Sequence, residues 1–481
     1  MTDERDHGRP GASSPSVLDL VVDLGRTWAA HHDRPDGPSK EIDRLVAQLR
    51  TTVAEDPGAH AQAVRIARAE GLELPWDRIN SGMARDLAVL HNFVPFIDTS
   101  GLVAARRLRE WGVLRDVVSQ DLSHRARVDD DAMRICAEVV DRTRILPGKR
   151  LDHRWRASVR FTEGTLAAVA ELEAGKGRPY RSVYSRAMPP ASHVAAAVLK
   201  LRSPDLRWIA EFSDPLLMNA YGEVRNGEVG DDWLRAELVE GFRRYGHAVP
   251  ETERLFGWAE MVAYAFADEI VFTNAHQRDF MLGYTPDGAL AERARSRTTV
   301  LHHPVPDAAL YSMKESSYSL APGKVHIGFF GNFYPNRSLV EVTGALERLS
   351  DAERARLQLH IFTSRSTELD DELRAQGLSD VVSVQPMQGF LEYLNLLRRF
   401  DALLINDYAT SPHYVPNPYL PAKLSDYLGS GRPIWALYEP GSVLGATAGV
   451  AYRTVLGDVD AATKVLRELA AGTTPSAARP G

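Results

Sequence analysis

Strand-like apolar runs alternate with helical segments twice along this 481-residue chain, and this alternation restricts the possible folds more than any other feature. The first block contains the runs RDVVSQ, YRSVYSRAM, RWIAEFSDP and DEIVFTNAH, separated by helical stretches such as SHVAAAVLKLR. The second block contains VHIGFFGNFYPN, LQLHIFTS, VVSVQP, DALLINDY and RPIWALY. Strands that alternate with helices favour a parallel sheet with helices on both faces. The sequence therefore predicts an α/β protein with two such sheets.

Changes in composition indicate where the segments begin and end. Before the first block, KEIDRLVAQLRTTVA carries apolar residues at three- and four-residue spacing, which predicts a helix. Between the blocks, YSMKESSYSLAPGK is rich in Ser, Pro and Gly, which is typical of a linker. The predicted segments are a disordered leader at 1–15, a helical extension at 16–78, an N-terminal domain at 79–310, a linker at 311–324, a C-terminal domain at 325–471 and a disordered tail at 472–481. Two parallel-sheet domains joined in this way place a cleft between the C-terminal ends of their strands, where small molecules usually bind.

The overall composition excludes several classes of protein. Apolar residues make up 44% of the chain and charged residues 25%, as in soluble globular proteins. The net charge of -7 gives no basic surface of the kind that binds nucleic acid. A single cysteine, Cys136, excludes an internal disulfide framework and a cysteine metal site, and it fits a reducing cytoplasm. No apolar run reaches the roughly 20 residues of a membrane span, so we expect a cytoplasmic protein.

One basic stretch allows a peripheral contact with a membrane. The segment RTRILPGKRLDHRWR, residues 142–156, carries cations that would attract anionic lipid head groups at the inner face. The alternative is a solvated loop followed by the start of a helix. The sequence alone leaves both interpretations open.

The start of the second block has the features of a phosphate-binding loop. In IGFFGNFYPNRS, a strand ends at Gly331 and the following loop carries Arg337. Glycine lets a ligand approach the backbone closely, and an arginine can hold two phosphate oxygens at once. The alternative is an ordinary connection from strand to helix.

A second cation lies in PYLPAKLSDYLGSGRPIWAL, residues 418–437. Pro421 suits the first turn of a helix, and Lys423 and Asp426 are three residues apart and so share a face. An ammonium group can neutralise a diphosphate, while a carboxylate can accept hydrogen bonds from ribose hydroxyls. The alternative is a local ion pair. Because both this helix and the loop of Gly331 follow strands at the same edge of one sheet, we favour a shared site.

The chain resembles the retaining, family-4-type (group 1) glycosyltransferases of the GT-B architecture over about residues 85–470. The resemblance depends on HNFVPFIDTSG, YSRAMPPASHVAAAVLK, WIAEFSDP, WAEMVAYAFADEIVFTNAHQRDFM, IGFFGNFYPNR and PAKLSDYLGSGRPIWAL, which occur in the order of the family. The last stretch is the most specific. The resemblance implies two Rossmann-like domains that face each other across a cleft.

The resemblance also implies roles for particular residues. Arg337 and Lys423 would hold the donor diphosphate, Gly331 and Asn332 would lie beside it, and Asp426 would bind the donor ribose. Asp214 would lie beside the reacting sugar and is the candidate catalytic carboxylate, together with the catalytic cations Arg337 and Lys423. The residues that would line the acceptor side of the cleft are Asp98, Thr99, Ser100, Gly101 and His193.

Two positions depart from the pattern of the family. Pro418 stands where the first acid of the Glu-x7-Glu motif is usual, so the common contact to the donor sugar is missing. Asn332 stands where many members have arginine. These departures leave the identity of the donor sugar open.

The implied reaction transfers a sugar from a nucleotide-diphosphate donor to a hydroxyl, with retention at the anomeric carbon. The acceptor would be a glycan or a lipid-linked molecule in surface polysaccharide or glycolipid assembly. We expect neither a metal nor another cofactor, because the adjacent His302 and His303 would point to opposite faces of a strand. Two alternatives remain: a degenerate homologue that acts as a non-catalytic binding partner, and a nucleotide-sugar epimerase.

Overall fold

A computed structural model describes residues 16–31, 39–148, 154–334 and 337–472. The predicted leader and all but the first residue of the predicted tail lie outside the described residues, as does the centre of the basic stretch 142–156. No helix among the described ranges is both long enough and apolar enough to cross a membrane.

Two all-parallel sheets form the framework of the molecule. The first sheet has the order β3-β2-β1-β4-β5-β6-β7 and the second has the order β10-β9-β8-β11-β12-β13. The strands are β1 (Asp86–Val89), β2 (Arg115–Gln120), β3 (Val140–Leu146), β4 (Ser182–Ala187), β5 (Arg207–Phe212), β6 (Glu269–Phe272), β7 (Thr298–Val300), β8 (Val325–Phe330), β9 (Leu357–Thr363), β10 (Val382–Pro386), β11 (Ala402–Asn406), β12 (Ile434–Tyr438) and β13 (Val450–Val455). In both sheets the strand order reverses beside the first strand, as in the Rossmann fold. The predicted architecture of two Rossmann-like domains with a helical N-terminal extension is confirmed.

Helices cover both faces of each sheet. In the extension and the first domain they are α1 (Val17–His31), α2 (Lys40–Glu55), α3 (Pro57–Glu70), α4 (Trp76–Asn80), α5 (Thr99–Trp111), α6 (Trp155–Lys176), α7 (Ala191–Arg202), α8 (Trp233–Arg244), α9 (Leu255–Phe266), α10 (Ala275–Gly283) and α11 (Gly288–Ser296). In the second domain they are α12 (Val340–Glu347), α13 (Asp351–Ala355), α14 (Ser366–Ala375), α15 (Phe390–Leu397), α16 (Lys423–Ser430), α17 (Val443–Ala446) and α18 (Val459–Ala470). Strands buried on both faces explain why the strand-like runs are almost continuously apolar.

The helical extension has its own small core and is tied to the first domain by ion pairs. Leu20, Leu24, Leu45 and Leu49 of α1 and α2 are buried against one another. The guanidinium of Arg68, on α3, donates to the carboxylate of Glu138 at 2.7 Å. The extension therefore packs on the side of the first domain.

One apolar core continues from the first domain into the second. Leu102 and Leu108 of α5 belong to the same buried cluster as Phe390, Leu424 and Tyr427 of the second domain. The segment predicted as a linker contributes Tyr311, which is fully buried. The two domains are thus held in contact on one side of the cleft.

Candidate functional site

The C-terminal ends of the strands in both sheets open into one cleft between the domains. From the first domain, the residues after β1, β4 and β5 line it; from the second, the residues after β8 and β11 and the start of α16 line it. Its volume of about 570 Å³ lies within the range of about 300 to 1,000 Å³ that is usual for ligand pockets. The cleft is therefore large enough for a ligand of nucleotide size.

The cleft has an excess of positive charge in a protein of negative net charge. Among the described residues that line it, Arg186, Arg225, Arg337 and Lys423 are cationic, whereas only Asp98 and Asp214 are acidic. The whole chain has a net charge of -7. A cleft that reverses the sign of the molecule attracts anionic ligands, and its low-dielectric walls strengthen the attraction.

Arg337 is held at the mouth of β8, where it lines the cleft. Its Nε donates to Oδ1 of the buried Asn406 at 2.8 Å, and its guanidinium carbon lies 4.9 Å from the ring centroid of Tyr408. Two backbone hydrogen bonds join Arg337 and Tyr334. Arg337 also hydrogen-bonds the side chain of Tyr408, and among the described residues no carboxylate forms an ion pair with it, so its charge is available to phosphate oxygens.

Lys423 opens α16 and lies at the cleft with an unusually acidic ammonium group. Burial and then the nearby Arg337 lower the pKa of Lys423 to about 8, although Asp426 opposes them. No described residue accepts a hydrogen bond from its Nζ. An anionic ligand between Arg337 and Lys423 would relieve the repulsion between these two cations.

The segment Asp98–Gly101 begins α5 at the opposite wall. Asp98 caps the helix, because its Oδ1 accepts from the backbone N–H groups of Ser100 at 2.9 Å and Gly101 at 3.3 Å. Asp98, Thr99 and Ser100 line the cleft, as predicted for the acceptor side. Gly101 does not; it is buried behind them, where a Cβ would come within 3.0 Å of the Phe93 backbone. The prediction that Gly101 lines the cleft is wrong because close packing requires this glycine.

Asp214 is the one cleft carboxylate that no described residue binds directly. It follows β5 and is half-buried. Burial raises the pKa of Asp214, whereas the nearby Arg186 and Arg225 oppose the effect. A carboxylate with these properties can accept a proton or a hydrogen bond from a bound hydroxyl.

Arg186 is a cleft residue that our sequence analysis missed. Its Nη1 donates to Ser100 Oγ at 3.0 Å and its Nε to Glu211 at 3.2 Å, and Glu211 also binds Arg107 and the hydroxyl of Tyr184. Although burial works in the other direction, Arg107 and Arg186 lower the pKa of Glu211 to about 2. Arg186 is therefore held rigidly beside Asp214. The sequence feature that could have identified Arg186 is its position near the end of the predicted strand YSRAM.

Asp426 lies in the domain interface and does not line the cleft. Its side chain is 4% exposed and forms a buried ion pair with Arg106 of α5, and it accepts from the hydroxyl of Tyr393 at 3.1 Å. The hydroxyl of Tyr311 donates to its backbone oxygen at 2.5 Å. The carboxylate is thus already paired with a cation of the other domain, and the expected contact with a donor ribose would require it to leave this pair.

Two further expectations fail for equally local reasons. His193 is fully buried: its Nδ1 pairs with Ser185 Oγ at 2.8 Å and its ring packs edge-on against Phe212, so it does not face the cleft. Gly331 lines the cleft, but its N–H donates to the carbonyl of Phe362 at 3.0 Å and is not available to phosphate.

The two positions that depart from the family have structural partners. Asn332 lines the cleft, and its Oδ1 accepts from Ser364 N at 3.0 Å and Ser364 Oγ at 2.8 Å, which fixes the loop after β9. Pro418 is buried, and its carbonyl accepts from Nδ2 of Asn274 in the other domain at 3.1 Å. Pro418 thus contributes to the contact between the domains.

A search of the described residues finds no group of three or more His, Cys, Asp or Glu side chains arranged to hold a metal ion. His302 is exposed and His303 is buried, so the two adjacent rings point in different directions.

Comparisons of the whole chain with known proteins find similarity only at the level of structure. No family model matches, and no curated protein matches. Anabaena HepE in complex with UDP and glucose has a TM-score of 0.49 at 11% identity, covering 82% of this chain and 94% of that chain. The lipopolysaccharide outer core galactosyltransferase WaaB has a TM-score of 0.44 at 10% identity, covering 81% and 91%.

A protein with a different activity is equally similar. The UDP-GlcNAc 2-epimerase of Neisseria meningitidis bound to UDP-GlcNAc has a TM-score of 0.45 at 9% identity, covering 81% of this chain and 94% of that chain.

Proposed function

We propose that the protein is a glycosyltransferase that moves a sugar from a nucleotide-diphosphate donor to a hydroxyl acceptor, with retention at the anomeric carbon. The observation that carries this proposal is the pair formed by Arg337 and Lys423, two cations without anionic partners in an interdomain cleft. The two cations repel each other, and an anion that binds between them would relieve this repulsion. A diphosphate has the charge and the oxygen atoms that this pair requires.

The two halves of the donor would bind to different domains in this proposal. Arg337 and Lys423 of the second domain would bind the diphosphate and stabilise the negative charge that develops on it as the bond to the anomeric carbon breaks. The sugar would then face the first domain, where Asp214 and Arg186 lie. Retention requires that the acceptor hydroxyl approach the face of the sugar from which the diphosphate departs. We propose Asp214 as the group that accepts the hydroxyl proton, so that the acceptor oxygen gains the sugar as the diphosphate leaves.

We place the acceptor in a groove of the first domain that adjoins the cleft. The groove has a volume of about 880 Å³ and shares Asn219 and Arg225 with the cleft. Trp155 and the exposed Val224 give it apolar walls. A glycan or lipid-linked acceptor, as used in surface polysaccharide or glycolipid assembly, fits a groove with one apolar side.

We also propose that the reaction needs no metal. Arg337 and Lys423 supply the positive charge for which many phosphate-transferring enzymes use a divalent ion. We therefore expect excess EDTA to leave the rate of donor turnover unchanged. A rate that falls with EDTA and returns with Mg²⁺ would contradict this part of the proposal.

The test is to incubate the protein with a panel of nucleotide sugars, with and without acceptor extracts, and to measure released nucleoside diphosphate and glycosylated product. We expect one donor to release its nucleoside diphosphate faster when the right acceptor is present. Conversion of a free nucleotide sugar into its epimer without transfer would favour the epimerase. Donor binding without either reaction would favour the non-catalytic homologue, and no binding at all would contradict nucleotide-sugar chemistry.

A further inference from the structure

His303 is a buried histidine of the cleft wall whose ring makes no hydrogen bond with any described residue. The residue is 6% exposed and follows β7 on the segment that leads from the first domain to the second. No described residue makes a hydrogen bond with its Nδ1, which is buried, or with its Nε2. A buried polar atom without a hydrogen bond is costly, so native proteins leave few of them.

Its position distinguishes His303 from the other buried histidine with an unpaired nitrogen. His193 also has an unpaired Nε2, but Ser185 binds its other nitrogen and aromatic rings surround it. His303 lines the cleft together with Arg186 and Lys423. A ligand in the cleft can therefore reach the ring of His303 and cannot reach that of His193.

The surroundings of His303 keep its imidazole uncharged. Burial lowers the pKa of His303 well below its usual value; the cations Arg186, Arg106 and Arg107 lower it further, and Glu211 opposes them. A neutral imidazole has one N–H donor and one acceptor nitrogen. It therefore matches a hydroxyl group, which both donates and accepts, better than a phosphate, which only accepts.

We infer that His303 hydrogen-bonds a sugar hydroxyl of the nucleotide sugar in the cleft and helps to select that sugar. This inference rests on the proposed function and adds to it a residue that contributes to sugar specificity. The division of the cleft supports it, because Arg337 and Lys423 provide the charge for the diphosphate on the side of the second domain. The ring of His303 would thus contact the sugar from the wall of the cleft.

The test compares two ligands across matched variants. The dissociation constants of the nucleotide sugar that binds best in the panel, and of its nucleoside diphosphate, are measured by calorimetry for the native protein, His303→Ala and His303→Asn. We expect His303→Ala to weaken binding of the nucleotide sugar about 3- to 10-fold and to change binding of the nucleoside diphosphate less than twofold, as for the loss of one neutral hydrogen bond. His303→Asn, which keeps a donor and an acceptor, should recover part of the loss.

His302→Ala is the control, because this neighbouring histidine is exposed and does not line the cleft; it lines an adjoining interdomain cavity, which His303 lines as well. It should bind both ligands as the native protein does. Equal weakening of both ligands in His303→Ala, or no weakening of either, would overturn the inference while leaving the proposed function intact. A native protein that binds no nucleotide sugar would overturn both, so the two failures are distinguishable.

Discussion

At the scale of single residues, the proposed function depends on two cations of the cleft that form no ion pair with a described residue. Arg337 is oriented by Asn406 and by the ring of Tyr408, while the half-buried Lys423 lies close enough for the two charges to repel. Each is held in place by the fold, and neither is neutralised at the cleft. Holding these cations in place lowers the stability of the free protein, and the binding of an anion restores that stability.

The acidity of Lys423 predicts how diphosphate binding depends on pH. With a pKa of about 8, its ammonium group is charged at pH 7 and largely neutral at pH 9.5. We therefore expect the affinity for a nucleoside diphosphate to fall between pH 7 and pH 9.5, and this fall to be absent in Lys423→Met. Calorimetry across this range checks the prediction. The matched control is Lys464→Met, an exposed lysine of α18, which should keep the native pH dependence.

Lys423 should also reduce the stability of the free protein. Its pKa is below the unfolded value of about 10.5, so the unfolded chain binds more protons and the free energy of unfolding rises with pH from about 8 to 10.5. Below pH 8 the full penalty applies. We expect Lys423→Met to unfold at a higher temperature than the native protein at pH 7, and thermal denaturation with Lys464→Met as reference measures the difference. An unchanged or lower unfolding temperature would show that the ammonium group is not penalised by burial.

The geometry of Arg337 predicts that charge alone is insufficient at this position. A lysine would keep the charge but lose the hydrogen bond to Asn406 and the two terminal nitrogens that bind oxygen pairs. We expect Arg337→Lys to weaken nucleoside diphosphate binding about 10-fold and Arg337→Ala to weaken it further. Arg348→Lys, at an exposed arginine of the same domain, serves as control. If Arg337→Lys binds as tightly as the native protein, bidentate binding is wrong.

At the scale of secondary-structure elements, helices α5 and α16 connect the cleft to the domain interface. Each begins at the cleft, with Thr99 and Lys423 respectively, and each contributes to the interface one turn or more further along. There the buried pair of Arg106 and Asp426 joins them. Because one helix belongs to each domain, this pair fixes the position of Lys423 relative to the opposite wall.

Removing one member of this buried pair should destabilise the protein strongly. We expect Asp426→Asn to lower the free energy of unfolding by about 3 kcal/mol or more, because Arg106 is left buried without a counter-charge. The double variant Arg106→Met with Asp426→Leu should regain most of the loss. Denaturant unfolding measures both. Binding of nucleoside diphosphate to folded Asp426→Asn should stay within threefold of native; a large loss of binding with unchanged stability would support the ribose contact instead.

The sequence predicted the elements better than it predicted which side of an element faces the ligand. The ends of β5 and β8 were evident from the apolar runs, so Asp214 and Arg337 were predicted at the cleft and lie there. Spacing along α16 indicated only that Lys423 and Asp426 share a face. This spacing could not indicate Arg106, which lies 320 positions away in the chain and forms an ion pair with the carboxylate of Asp426.

The same limit explains the other errors. His193 belongs to α7, whose described residues are buried on nearly every side, so that no polar face marks the direction of the core. Arg186 lies on β4, and His303 lies on the segment that crosses from the first domain to the second. Their positions at the cleft depend on how the two domains pack. Local patterns contain no information on contacts between residues that are distant in the chain.

At the scale of the whole molecule, two Rossmann-like domains in contact along one side leave an open, positively charged cleft. The second domain supplies Arg337 and Lys423, and the first supplies Asp214, Arg186 and the start of α5. Neither domain contains both the cations for a diphosphate and the carboxylate for a hydroxyl. The proposed reaction therefore requires both domains in their observed contact.

The most direct test of this account is the ratio between the dissociation constants of a nucleoside and its nucleoside diphosphate, measured by calorimetry at pH 7 with the full chain. Two charged hydrogen-bonding groups should make the diphosphate bind at least about 30-fold more tightly. The double variant Arg337→Ala with Lys423→Met should abolish this preference without unfolding the protein. Equal binding of the two ligands to the native protein, or a preference that persists in the double variant, would contradict the assignment of the cleft.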